Sequence, residues 1–123
     1  MRGNKKSNTA YGIIGLGRFG KALAVMLAES GKDVVAIDQN ELKVREIRQY
    51  TEYAFVTEDL SKEALKETGI QNCDVVVVCI GEKVDVSILT TMSVLEMGVT
   101  RVIAKAVTQE QGSVLKKLGA EVV

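Results

Sequence analysis

The chain has 123 residues, 46% of them hydrophobic and 26% charged, which suits one soluble domain with a real core. The formal net charge is zero, only 4% of residues are aromatic and there is no Trp, which argues against nucleic acid or an anionic membrane surface as a partner. No apolar run reaches about 18 residues, so no membrane span is expected.

Residues 1–9 are polar and basic and lack the apolar centre of a signal peptide. They read as a disordered tail or an expression remnant, with residues 10–123 forming one domain. Ala10 to Ile14 reads as a short apolar strand. Gly15, Gly17 and Gly20 then give the spacing G-x-G-x-x-G. Gly15 lets the chain turn sharply, Gly17 lets a phosphate approach the backbone, and Gly20 lets a helix lie tightly on the strand. The free N–H groups at the start of that helix face an anion. The helix continues from Lys21 to Glu29, and Ser30-Gly31-Lys32 ends it. Asp33 to Ile37 is a second strand, closed by Asp38. Asp38 stands where a carboxylate takes ribose hydroxyls; the competing reading is a cap for the next helix. As a ribose ligand it would repel a 2′-phosphate, which disfavours NADP.

Asn40 can cap a helix from about Glu41 to Tyr50. Tyr53 to Val56 is a short third strand. Ser61 starts a helix to Lys66 with a capping-box spelling that lacks the Glu partner, and Gly69 ends it. Asp74 to Ile80 is a continuous apolar run, the mark of a strand covered on both faces. Cys73 and Cys79, six positions apart, would share one face of that strand, about 20 Å apart and out of disulfide reach. They read as buried small hydrophobes in a reducing cytoplasm. There is no His and no cluster with metal-ligand spacing, so no metal site is expected. Val84 to Met97 is a helix apolar almost all round. That pattern fits a deeply covered helix or, as favoured here, one that packs against another copy of the protein. Arg101 to Lys105 is the fifth strand. Thr108 caps a helix to about Leu118, and Ala120 to Val123 is the sixth strand.

Strands and helices alternate throughout. With right-handed crossovers the fold class is α/β, a doubly wound, Rossmann-like sheet of six parallel strands in the order 3-2-1-4-5-6, with helices on both faces. Ligands then bind at the carboxyl ends of the strands, between strands 1 and 4. The expected crevice comprises Gly15, Leu16, Gly17, Arg18, Phe19 and Gly20, then Asp38, Gln39 and Asn40, then Glu58 and Asp59. Ile80, Gly81, Glu82, Lys105, Ala106 and Val107 complete it. Arg18 suits a terminal phosphate. Glu58 and Asp59 meet the adenine end of a ligand or are simply solvated. Lys105 faces phosphate or pairs with Glu82.

Residues 15–20 (GLGRFG), the closing Asp38, the apolar strand ending in Ile80-Gly81-Glu82, the helix at 86–98 and the segments 102–106 and 114–123 resemble the RCK N-terminal (KTN) domain. This domain occurs in cytoplasmic subunits of Trk/Ktr-type potassium uptake systems and in ligand-gated potassium channels. The resemblance implies a nucleotide sensor, not an enzyme. It implies ATP/ADP or NAD(H) in the crevice, with Arg18 reaching the γ-phosphate of ATP and Asp38 holding the ribose. It implies dimers assembled into a ring, commonly an octamer, beneath a membrane potassium-translocating subunit. The place would be cytoplasmic, at the inner face of the cell membrane. Two departures stand out. Thr57-Glu58-Asp59-Leu60 replaces the Gly-Asp-Ala-Thr that many members carry. The Pro-Glu that usually follows the sixth strand and the separate C-terminal ligand domain lie outside the chain, so a cation site that uses that Glu would be incomplete. A rival reading is the cofactor-binding half of an NAD-dependent oxidoreductase, which would need a second domain with a general acid or base.

Overall fold

The computed structural model describes residues 9–123. The expected tail, residues 1–9, lies outside them except for Thr9. The elements run β1 (Ala10–Ile14), α1 (Arg18–Glu29), β2 (Asp33–Asp38), α2 (Glu41–Ile47), β3 (Ala54–Val56) and α3 (Lys62–Glu67). A short 3-10 turn (Ile70–Asn72) leads into β4 (Val75–Val78), α4 (Val84–Glu96), β5 (Arg101–Ala104), α5 (Gln109–Leu118) and β6 (Glu121–Val122). The six strands form one sheet in the order 3-2-1-4-5-6, and every neighbouring pair is parallel. Ile14, at the end of β1, pairs with Ile37 on one side and Val78 on the other.

The period of two in the strands sorts side chains into two layers. Ile13, Ala36, Val75 and Val77 point into one layer with Ala24 of α1 and Val44 and Ile47 of α2. Ile14, Ile37, Val76 and Val78 point into the other with Leu65 of α3, Val94 of α4 and Leu115 of α5. Because β4 is buried on both sides, its run of four valines carries no polar alternation. No helix among the described residues is long and apolar enough to cross a membrane.

Local chemistry sets the helix starts. Asn40 accepts from the N–H groups of Leu42 and Lys43, Ser61 from Ala64, and Thr108 from Gln111. Asp38 is therefore not the cap of α2. That helix is also shorter than the sequence pattern suggests. It stops at Ile47: the Arg48 N–H is shared between the Val44 and Arg45 carbonyls, and the Tyr50 N–H turns to the Ile47 carbonyl three residues back. The expectation that Cys73 and Cys79 share a face is wrong. The 3-10 turn places Cys73 before β4 begins, so it joins the layer of α3, α4 and α5, while Cys79 joins the layer of α1 and α2. Both thiols are free and buried. Burial pushes Cys73 up to about 11 and Cys79 up to about 12, so both are protonated near neutral pH.

Candidate functional site

The site is built around the turn that leaves β1. Gly15 has φ +101°, and a Cβ there would also lie 2.8 Å from the Cys79 carbonyl oxygen. At Gly20 a Cβ would collide with the Gly15 carbonyl oxygen, so this glycine lets the helix start beneath the strand end. At Gly17 a Cβ would meet nothing within 4 Å. The space in front of Gly17 is open, which is what a close-approaching phosphate requires.

Gly17 is the N-cap of α1. It brings no side-chain cap, and no acid stands in the first turn. Lys83 begins α4 and likewise offers no side-chain cap. The starts of α2, α3 and α5 are capped by side chains, whereas the two helices that open onto the gap between β1 and β4 are not. At α1, where no acid stands in the first turn either, the N–H groups and partial positive charge are left for an anion, whereas α4 already carries Asp85 in its first turn.

A crevice of about 380 Å³ lies over this gap, within the range of small-molecule sites. Gly15, Gly17, Arg18, Phe19, Asp38, Gln39, Ile80, Gly81, Glu82 and Lys105 all line it. Four of its side chains are cations, Arg18, Lys43, Lys83 and Lys105, against two acids, Asp38 and Glu82. None of the four cations enters an ion pair among the described residues, so all are available to a polyanion. In particular, Lys105 does not pair with Glu82; its ammonium stands 5.6 Å from the centre of the Phe19 ring.

Asp38 ends β2 across from the glycine turn. One carboxylate oxygen accepts from the Leu16 N–H at 2.6 Å and the other from the Asn40 N–H at 2.8 Å. A carboxylate oxygen has a second acceptor position, so a sugar hydroxyl can still bond here. The same acid that would grip the sugar thus also pins the glycine turn.

Some expected residues stand elsewhere. Leu16 turns its side chain into the core and reaches the site only through its N–H. Gly20 lies beneath the turn, and the Asn40 side chain is occupied at the start of α2. Glu58 and Asp59 line a separate hollow with Phe55, Thr57, Ala64 and Thr68, where the Thr57 hydroxyl is buried without a partner. The Gln39 amide donates to the Glu58 carbonyl at 2.7 Å and ties the edge of the crevice to that hollow. Ala106 and Val107 face another depression, beside β6 and α5.

Ile14, Lys43, Leu60, Cys79, Lys83 and Val86 also line the crevice and were not foreseen. The topology rule names residues directly after strands. It omits Lys43 and Val86, which reach the crevice from the first turn of a helix. Two signals were available: position within one turn of a helix start that faces the strand ends, and a basic side chain there. Cys79, the thiol at this edge, is held protonated by burial although Lys105 pulls the other way. Among the described residues no group of three His, Cys, Asp or Glu could hold a metal ion. The arrangement suits a phosphorylated ribose-bearing ligand.

Comparison with known proteins follows the same line. A family profile described as the TrkA-N domain matches residues 11–123. The Ktr system potassium uptake protein C of Bacillus subtilis is 39% identical over 111 residues, covering 90% of this chain and 50% of that protein. This chain spans about half the length of the Ktr relatives it matches. The TrkA-N domain of the inner membrane protein YbaL of Escherichia coli superposes with a TM-score of 0.80 at 21% identity, covering 94% of this chain and 86% of that one. GsuK solved with ADP gives 0.75 at 25% identity, covering 94% of this chain and 30% of that one. The GsuK channel solved with NAD gives 0.78 at 15%, a likeness of fold, covering 98% and 22%.

Proposed function

The chain belongs to the TrkA-N domain family, and from that premise we propose that it is the nucleotide-sensing part of a regulatory subunit that controls potassium movement through a membrane partner. The observation that carries the reading is the open mouth of α1. An uncapped helix start behind Gly17 sits beside Arg18, with Asp38 across from it. The GsuK structures carry ADP and NAD, and the Bacillus relative belongs to a potassium uptake system, which supports both halves of the proposal.

In this reading the main-chain N–H groups of the first turn of α1 hold a diphosphate and Asp38 accepts from the ribose. Arg18 meets a third phosphate. ATP, ADP and NAD(H) then differ in the charge they present to Arg18, Lys83 and Lys105. A ligand shifts an assembly only by binding one of its shapes better than another. The ligand-dependent difference would pass through α4, which begins at the crevice and carries Leu89 and Met92 on its exposed side. The subunit would work in the cytoplasm as a dimer or a ring, against the inner face of the membrane. No nucleophile paired with a base borders the crevice, which favours a sensor over the cofactor half of an oxidoreductase.

Calorimetric titration with ATP, ADP, NADH and NADPH tests the reading. Tighter binding of ATP, ADP or NADH than of NADPH is expected. Arg18→Ala should weaken ATP about tenfold or more and leave ADP within about threefold, as for loss of one charge-assisted contact. Unchanged affinity for both would overturn the Arg18 assignment. Sustained oxidation of NADH by a small carbonyl compound would favour the oxidoreductase instead.

A further inference from the structure

Gln111 lies on α5, outside the crevice, and is 1% exposed. A buried amide is costly unless its groups are bonded, and an apolar residue of similar length would fill the space without that demand. Its bonds are specific. Its carbonyl oxygen accepts from the Val107 N–H at 2.8 Å, and its NH₂ donates to the Ser87 hydroxyl at 3.2 Å. Ser87 lies in the first turn of α4, where its own N–H donates to the Lys83 carbonyl at 2.9 Å. Val107 lies two residues after Lys105. One side chain therefore joins the two segments that carry Lys83 and Lys105 to the crevice. The buried polar residues of the described chain, Ser87, Thr90, Thr91 and Gln111, all belong to α4 and α5.

Resting on the nucleotide reading above, we infer that Gln111 is a positioning residue. It sets Lys105 against the start of α4, so that affinity for the phosphates of a nucleoside diphosphate or triphosphate depends on how α4 packs on α5. The link runs both ways: whatever moves α4 alters the grip on phosphate, and phosphate binding biases α4. Thr91 extends the seam along α4 by donating to the Ser87 carbonyl at 2.8 Å.

The test compares ADP with adenosine by NMR titration, for the unaltered protein and for Gln111→Met, Lys105→Ala and the double variant. Gln111→Met should weaken ADP about three- to tenfold, the worth of one hydrogen bond, and change adenosine by less than about twofold. In the Lys105→Ala background the same substitution should add nothing, because the residue through which Gln111 acts is gone. A merely structural role would lower the melting temperature without moving the ADP-to-adenosine ratio, and that result overturns the inference alone. So does a loss of ADP affinity that is equally large without Lys105. An unaltered protein that binds no adenine nucleotide overturns the crevice reading and this inference together. If Gln111→Met does not fold, Ser87→Ala cuts the same link at its other end and should give the same ADP-selective loss.

Discussion

A methyl group added at Gly20 would run into the Gly15 carbonyl oxygen, while one added at Gly17 would stand in open space. The two glycines of one turn therefore give separable predictions. Gly20→Ala should destabilise the fold by about 1–3 kcal/mol, since the backbone of the turn must shift. Gly17 has φ −69°, which alanine adopts freely. Gly17→Ala should leave stability unchanged or raise it by up to about 1 kcal/mol by restricting the unfolded chain. The same substitution should weaken ADP about tenfold or more, because the methyl group fills the place a phosphate would take. Urea denaturation and calorimetry on the two variants check both statements. Full ADP affinity in a folded Gly17→Ala protein would remove the phosphate from the mouth of α1.

Helix α4 is turned the unexpected way round. Its buried side carries Ser87, Thr90, Thr91 and Val94, whereas Leu89 is 62% exposed and Met92 36% exposed. Small inward residues let the helix lie close to the sheet and to α5; Ile88 and Leu95 pack partly against the core, and Leu89 and Met92 are left outside. A double variant, Leu89→Glu with Met92→Glu, should therefore keep its melting temperature within about 4 °C. It should sediment as a monomer under conditions where the unaltered chain sediments as a dimer or larger. Identical masses for the two would show that this side does not meet a second copy. The sequence already announced that α4 was too apolar for an ordinary outer helix, but not which side was which, because apolar residues at almost every position leave its rotation undetermined. Lys43 and Val86 were missed for another reason: they reach the crevice from the first turn of a helix, not from directly after a strand. Strand order and the tight turn at Gly15 and Gly20 were legible, since strand–helix alternation with right-handed crossovers and a fixed glycine spacing leave little freedom. The 3-10 turn at Ile70–Asn72 was not, and it moved Cys73 into the opposite layer.

Across the whole molecule, the two thiols report on both layers at once. Each has its pKa raised from an ordinary 9.0, Cys73 to about 11 and Cys79 to about 12, chiefly by burial. Below pH 9 folded and unfolded chains hold the same thiol protons, so this contribution to stability is intact. Between pH 9 and the raised values the unfolded chain releases protons that the folded chain keeps, and stability falls as pH rises. The urea midpoint should drop between about pH 8 and about pH 10 more steeply for the unaltered chain than for Cys73→Ala with Cys79→Ala. Equal slopes would mean that the thiols are not sealed in the folded state. The uncapped opening of α1 has a consequence of another kind. If the anchor for phosphate is peptide N–H, an alanine scan is blind to it, because truncating a side chain leaves every amide in place. The summed losses from Arg18, Asp38 and Lys105 would then fall short of the whole binding free energy. Swapping single amides for esters by chemical ligation would expose the remainder.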